Sequence, residues 1–329
     1  MPLPGSHRGR HRISDCAIGK EISDGGDDAG AARSTEAWLG AVALIGFILV
    51  ATAQASNQIL ARGLAGSVPP FALAFFRWSI VAIGLAPIAF AEIRAGRVPL
   101  GKNIWPILAA GFMGMFLCGG PVYAAGISTT AIHIALIMAL SPITVLMISA
   151  MLGIEHVGPL QWLGTALALA GALLIISGGH PETLFALETA AGDGLVVIAM
   201  LGWSGYTLLQ SRAAPKASLL ARMSLFAGAG ALFSLPQALI EMWTTPAQVF
   251  STKAVSAYVF AGIVPGLLAY AGFAWLGGKF GSVRTSLVLY LGPIASALLS
   301  FAILGEPPKL IHLLGGVLIL GGVWASLRK

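Results

Sequence analysis

The sequence predicts an all-α integral membrane protein, with ten transmembrane helices arranged as two inverted five-helix repeats. Three observations predict it. Hydrophobic residues make up 57% of the 329-residue chain and charged residues only 10%, whereas a soluble domain averages roughly a quarter charged. Ten apolar runs, at 37–61, 70–91, 104–125, 129–152, 158–178, 193–212, 219–240, 255–278, 283–304 and 309–327, are each about long enough to cross a hydrocarbon core as a helix. They lack the alternation of a membrane barrel and are too long for its strands. Finally, Pro142 and Pro293, Glu155 and Glu306, Gly164 and Gly315, and Gly171 and Gly322 are each separated by 151 positions. Leucine identities at that spacing come cheaply in an apolar chain, so the Pro, Glu and Gly pairs carry the repeat. Internal repeats in apolar chains are the recurring architecture of secondary transporters.

Taken in order, residues 1–35 are rich in Gly, Ser, Asp and Arg and lack the apolar core of a signal peptide, so they are expected to form a disordered cytoplasmic tail. The first repeat is expected over 36–179 and the second over 180–329. In the first span Gln54 and Asn57 are three residues apart and share a helix face. Arg77 stands in the second span, about two turns from its external end. An ionisable residue inside a span is costly and marks function by default; a purely structural tie between helices is the competing role. Tyr123 closes the third span, and the short gap near Gly126–Thr129 makes its border with the fourth the softest. His133, early in the fourth span, belongs to the residue type most suited to carrying a proton, and hydrogen-bonded packing is its other reading. Its counterpart at the repeat spacing, Arg284, is expected to be a boundary anchor.

Pro142 and Pro293 fall inside their spans, where each should kink the helix and free a carbonyl. Matched kinks suit either a pivot or a fixed bend. Gly164 and Gly171 lie two turns apart on the fifth span, and Gly315 and Gly322 repeat this on the tenth. Small residues let membrane helices approach closely, either within one chain or across a dimer, so monomer and homodimer both stand. Gly321 and Ala170 are expected to widen the same seam. In the sixth span Trp203, Tyr206, Thr207 and Gln210 form a stripe. The first and sixth spans correspond in the two halves, so this stripe and the Gln54–Asn57 pair are expected either to face each other across a central cavity or to hydrogen-bond between helices. Tyr270, Tyr123, Trp275 and Tyr290 would add aromatic walls, or belong to interfacial belts.

Five spans per repeat is an odd number, so the second copy enters the membrane from the opposite side. Glu155 then ends the fourth span on the cytoplasmic side and Glu306 ends the ninth outside, which makes them matching end-markers. Charge supports this orientation. With both termini cytoplasmic, the inside segments hold Arg94, Arg97, Lys102, Arg212, Lys216, Arg222, Lys279, Arg284, Arg328 and Lys329 besides the basic tail, and the outside loops only Arg62, Lys253 and Lys309. The net charge of +6 is therefore a topology signal, and nucleic acid is not an expected partner.

The fourth and fifth spans run "ALSPITVLMISAMLGIEHVGPLQWLGTALALAGALLI", the ninth and tenth "LYLGPIASALLSFAILGEPPKLIHLLGGVLILGG", and the second begins "PPFALAFFRW". These segments resemble the EamA-type transporters of the drug/metabolite transporter superfamily, in which proline, glutamate and then "LGxxLxLxG" occur once per half. The resemblance covers about residues 37–327. It implies a ten-helix, inverted-repeat carrier of the bacterial inner membrane that often exports amino acids or other small metabolites, and it implies that an arginine at Arg77 is typical. The implied partners are a small-molecule solute and the lipid bilayer, with no cofactor. A multidrug exporter and an importer share the same implied fold.

The residues add some selectivity of their own. An uncharged pocket of amides and aromatics suits neutral or amphipathic solutes, and the absence of a mid-span carboxylate leaves facilitated movement or coupling through His133. A membrane enzyme is the rival class. It would need converging catalytic groups, whereas His7, His11, His133, His156, His180 and His312 are scattered without metal-ligand spacing, and Cys16 and Cys118 lie far apart.

Overall fold

A computed structural model describes residues 45–57, 60, 63–98, 100–180, 182–185, 190–295 and 310–327. The tail at 1–35, Arg62 and Glu306 lie outside the described residues. Among those described, the chain is helical, with no strand. Its elements are α1 (Ile45–Asn57), α2 (Pro70–Arg94), α3 (Leu100–Ala110), a π-helical segment (Gly111–Phe116), α4 (Gly120–Ser128), α5 (Ala131–Ala139), α6 (Ser141–Met151), α7 (Pro159–Ile176) and the single turn α8 (Glu182–Phe185). Then come α9 (Asp193–Leu209), α10 (Leu219–Thr244), the turn α11 (Pro246–Val249), α12 (Thr252–Ala261), a second π-helical segment (Gly262–Leu268), α13 (Ala269–Phe280), α14 (Ser282–Ser286), a 3-10 segment (Leu287–Leu291) and α15 (Leu310–Leu327).

Among the described residues, seven helical stretches are long and apolar enough to cross a membrane: Pro70–Arg94, Ile104–Ser128, His133–Met151, Pro159–Ile176, Leu219–Thr244, Thr252–Phe280 and Leu310–Leu327. Ile45–Asn57 and Asp193–Leu209 are shorter apolar helices. The expected ninth run, 283–304, is described only as far as residue 295. The border between the third and fourth spans is a break of two residues, Thr129–Thr130, where Thr130 caps α5 by accepting from the His133 amide at 3.3 Å.

Local sequence accounts for the helix starts. Pro70 opens α2 and Pro159 opens α7, positions where a missing N–H costs nothing. Ser218 and Ser251 cap α10 and α12 through their hydroxyls. Pro142 lies at the start of α6, just after the fourth span breaks at Leu140. Pro293 follows the 3-10 segment Leu287–Leu291. Both breaks therefore sit immediately before the repeated proline.

Two helix pairs form the frame. Helices α2 and α10 lie side by side and cap each other reciprocally. Glu92, near the end of α2, accepts from the Ser218 amide at 2.8 Å. Glu241, near the end of α10, accepts from the Phe71 and Ala72 amides at 3.2 and 2.6 Å. Each carboxylate meets a helix N-terminus, where unpaired donors and the helix dipole favour an anion, so the two helices must run antiparallel. Helices α7 and α15 also cross antiparallel. A Cβ built on Gly171 would lie 2.6 Å from the Gly315 carbonyl oxygen, and one on Gly315 would lie 2.8 Å from that of Gly171. Gly164 and Gly322 approach each other more closely still. All four glycines meet within one chain.

The expected flanks of that seam need correction. A Cβ on Gly321 would meet nothing within 4 Å, and Ala170 is exposed. One residue turns a helix by about 100°, which carries both out of the crossing; the position beside Gly322 is taken by Ala168.

Glu155 has a structural task. Its carboxylate accepts from the Ser282 amide at 2.6 Å and reaches the Val283 amide at 3.5 Å, so it caps the start of α14 from the loop after α6. Gly281 makes room for it: its φ is +82°, and a Cβ there would stand 2.7 Å from Glu155 Oε2. We predict that Glu155→Ala lowers stability by about 1 kcal/mol, the typical loss of a helix cap, and that Glu155→Gln, which keeps an acceptor, loses less. Thermal unfolding in detergent checks this; equal midpoints for Glu155→Ala and the parent would refute it.

Candidate functional site

The third span of each half contains a π-helical segment, and the two begin at Gly111 and Gly262, 151 positions apart. In such a segment the amide bonds to the fifth residue back, as Leu117 does to Phe112 at 2.9 Å. The looser ladder turns carbonyls outward, and such segments concentrate at functional sites. Here those carbonyls are used. Tyr270 on α13 donates to the Gly114 carbonyl at 2.7 Å, and the Trp78 indole on α2 donates to that of Met115 at 2.8 Å. From the second segment, the Pro265 carbonyl accepts from Arg77 Nη2 at 3.3 Å.

Arg77 is buried at 1% exposure. Its Nη1 donates to Asn57 Oδ1 at 2.8 Å and to the Tyr123 hydroxyl, and that hydroxyl also donates to Asn57 Oδ1 at 2.6 Å. The guanidinium carbon stands 4.4 Å from the Trp78 ring centroid and 5.8 Å from that of Tyr123. Each of these partners is neutral. Among the described residues the ion pairs are Arg97–Glu92, His133–Asp193 and His180–Glu182, so no carboxylate pairs with Arg77.

Beside Arg77 an aromatic ladder crosses between the halves. Ring centroids are 4.9 Å apart for Trp78–Tyr270, 5.3 Å for Trp203–Tyr270, 5.6 Å for Tyr206–Tyr270 and 4.8 Å for Trp203–Phe273. Among the described residues, several buried polar atoms in and around it have no hydrogen-bond partner: Arg77 Nε, Gln54 Nε2, Trp203 Nε1 and the Tyr206 hydroxyl. Buried polar groups are ordinarily satisfied, so this concentration singles out the interior between α1, α2, α9 and α13.

The expected residues thus divide. Asn57, Arg77 and Tyr123 form one polar cluster, and Trp203, Tyr206 and Tyr270 the adjoining aromatic one. Thr207 is buried and donates its hydroxyl proton to the Trp203 carbonyl of its own helix at 2.8 Å. Gln210 sits farther along α9, where its backbone carbonyl accepts from Arg222 at 3.1 Å. His133 stands apart, 2.8 Å from Asp193 through Nδ1, and Asp193 also accepts from Thr129 at 2.5 Å and from the Ala190 amide at 2.8 Å. This network ties the start of α5 to the start of α9, at a span boundary. Trp275 is exposed and supplies no interior wall, while Tyr290 is buried away from the ladder with its hydroxyl unpartnered. Arg284 does more than anchor a boundary, since its Nε donates to the Ser326 carbonyl of α15 at 2.9 Å. Cys118 is buried against the Ala199 carbonyl. No group of three or more His, Cys, Asp or Glu that could hold a metal occurs among the described residues.

Sequence reasoning missed Trp78, Asp193 and the π-helical segments. A signal for the last was present: Gly111 and Gly262 obey the same 151-residue spacing as the quoted pairs.

Long apolar helices, corresponding helices in antiparallel pairs and a polar interior between them define a multi-pass membrane protein of transporter type. The chain belongs to the EamA-like transporter family, whose model matches residues 41–177 and again 190–328. An uncharacterized transporter, YdfC of Bacillus subtilis (strain 168), is 29% identical over 81% of this chain and 84% of its own length. The uncharacterized inner membrane transporter YedA of Escherichia coli (strain K12) is 25% identical over 80% of this chain and 83% of its own. A protein of Streptantibioticus cattleyicolor named as a "probable terminal-alkyne amino-acid exporter" is 23% identical over 78% of this chain and 84% of its own. A solved crystal structure matches with a TM-score of 0.65 at 23% identity, covering 87% of this chain and 97% of that one. At that identity the likeness shows the fold alone.

Proposed function

We propose that the protein is a secondary carrier of the bacterial plasma membrane that exports neutral or amphipathic amino acids or related metabolites by alternating access. In this reading ten spans form two inverted repeats, 36–179 and 180–329, with both termini cytoplasmic. The observation that carries it is the interior at the junction of the halves, where a buried arginine and unpartnered amide, indole and phenol groups adjoin an aromatic ladder. Carrier sites lie at such repeat interfaces. The antiparallel pairing of α2 with α10 and of α7 with α15 supports inversion, because corresponding helices of parallel repeats would run the same way. The name of the Streptantibioticus relative supports an amino-acid solute.

The test is to overexpress the protein and profile metabolites in cytosol and medium. We expect at least one amino acid or close relative to rise severalfold outside the cell, and Trp203→Ala to abolish the rise while leaving membrane insertion intact. Failure of every solute to shift would refute export. Flux from loaded vesicles, with and without a pH gradient, then examines coupling. If the His133–Asp193 pair carries a proton, gradient dependence is lost in His133→Gln; dependence that survives the substitution sinks the histidine version.

A further inference from the structure

Resting on that carrier reading, we propose that Arg77 binds a carboxylate of the transported solute through its Nε–Nη2 edge, which makes the substrate a monocarboxylate with an apolar body. The charge of Arg77 is permanent, since a guanidinium is not deprotonated in proteins. Burial therefore cannot be relieved by neutralisation, and a buried cation without a counter-ion is costly. Asn57, Tyr123 and Pro265 supply only dipoles.

The guanidinium is unevenly engaged. Its Nη1 serves both Asn57 and Tyr123, whereas Nη2 holds the Pro265 carbonyl at a long 3.3 Å and Nε has no partner among the described residues. Nε and Nη2 form the side-on fork of arginine, whose two parallel N–H groups match the two oxygens of a carboxylate. A carboxylate there would take up the idle Nε and displace only the weakest of the existing contacts.

Valence and body follow from the surroundings. At the 151-residue repeat spacing the position corresponding to Arg77 in the second half is Gly228, and Phe226, Ala227 and Gly228 are all uncharged. The site is thus asymmetric, and its cation beside Trp78 and Tyr123 is Arg77; Arg222, on α10, donates to the Gln210 carbonyl at the end of α9. A single guanidinium suits a single negative charge, not a dianionic phosphate. Trp78, in contact with the guanidinium, begins the ladder that continues to Tyr270 and Trp203. An apolar side chain would lie along these rings, and an ammonium group, where the solute has one, would be received by their faces.

The experiment uses the full chain in lipid nanodiscs and a panel of valine, leucine, isoleucine, methionine and phenylalanine, each as the free acid and as the carboxamide. Binding is read from intrinsic tryptophan fluorescence, with 3-phenylpropionate as an acid lacking the ammonium group. We expect at least one free acid to bind about tenfold or more tightly than its amide, the scale of a charge-assisted fork. In Arg77→Gln that preference should fall to about one, and Arg77→Lys should restore part of it. The comparison of acid with amide in the unsubstituted protein decides the matter even where a variant misfolds. Equal binding of acid and amide overturns the carboxylate assignment and leaves the carrier reading standing. Silence from the whole panel overturns the amino-acid reading and this inference with it.

Discussion

Gly164→Leu is expected to dismantle the crossing of α7 and α15. A Cβ alone at Gly164 would collide with the Gly322 carbonyl oxygen and would lie 2.9 Å from the Ser326 amide nitrogen. These are backbone atoms that cannot swing aside, so the helices must part. Overpacking costs typically about 1–3 kcal/mol and occasionally more, and a leucine against backbone belongs at the upper end. Parting the helices also strands Arg284, whose Nε bond to the Ser326 carbonyl depends on the same register. The matched control is Gly321→Leu on the partner helix, where a Cβ meets nothing within 4 Å; it should leave stability within about 0.5 kcal/mol of the parent, as surface changes do. Thermal unfolding of both variants in detergent, followed by size exclusion, measures the contrast. Similar midpoints would show that the seam is not where the stability lies.

The reciprocal caps support a second large effect. Glu241→Ala strips acceptors from the Phe71 and Ala72 amides together, and Glu92→Ala strips one from the Ser218 amide. A buried donor left unsatisfied costs about 1–3 kcal/mol, as at Ala72, whereas Ser218 is exposed and water can take up its freed amide. We therefore expect Glu241→Ala to destabilise more than Glu92→Ala, and each Glu→Gln counterpart to lose less. A helix of 25 residues spans about 37 Å, so the two caps lie far beyond the range of direct coupling. The double variant should equal the sum of the singles within about 0.5 kcal/mol. Strong non-additivity would instead mean that one cap sets the register which the other needs.

How much of this was legible in the chain depends on distance along it. Spans, repeat spacing and the glycines at 164, 171, 315 and 322 are periodic features, and the crossing of α7 with α15 follows once those glycines are put on one face. Ala170 and Gly321 show the limit of that reasoning, because helical angle matters at the scale of a single residue. Arg77 stood out by charge alone, and its link to Asn57 spans only 20 positions. The partners that were missed lie farther off. Glu241 is 169 positions from Ala72, and Asp193 is 60 from His133. Both carboxylates stand at the ends of apolar runs, where a solvated charge is the ordinary expectation and only three-dimensional packing reveals a capped amide. The π-helical segments escaped because local propensity reads them as α-helix; their carbonyls accept from Trp78, Tyr270 and Arg77, which lie on other helices.

Those segments have a mechanical consequence. A π turn winds more residues into each revolution than an α turn does, so it is stored slack. A helix that lets this slack out regains α winding, and each residue so released rotates everything beyond it by about 100°. The Gly111–Phe116 and Gly262–Leu268 segments hold such slack at matched positions in the two halves. In the carrier reading, each would serve as a screw joint in its span. Turning one would withdraw the Gly114 and Met115 carbonyls from Tyr270 and Trp78, and turning the other would withdraw the Pro265 carbonyl from Arg77, so the grip on the interior and the winding of these two spans are one degree of freedom in each half.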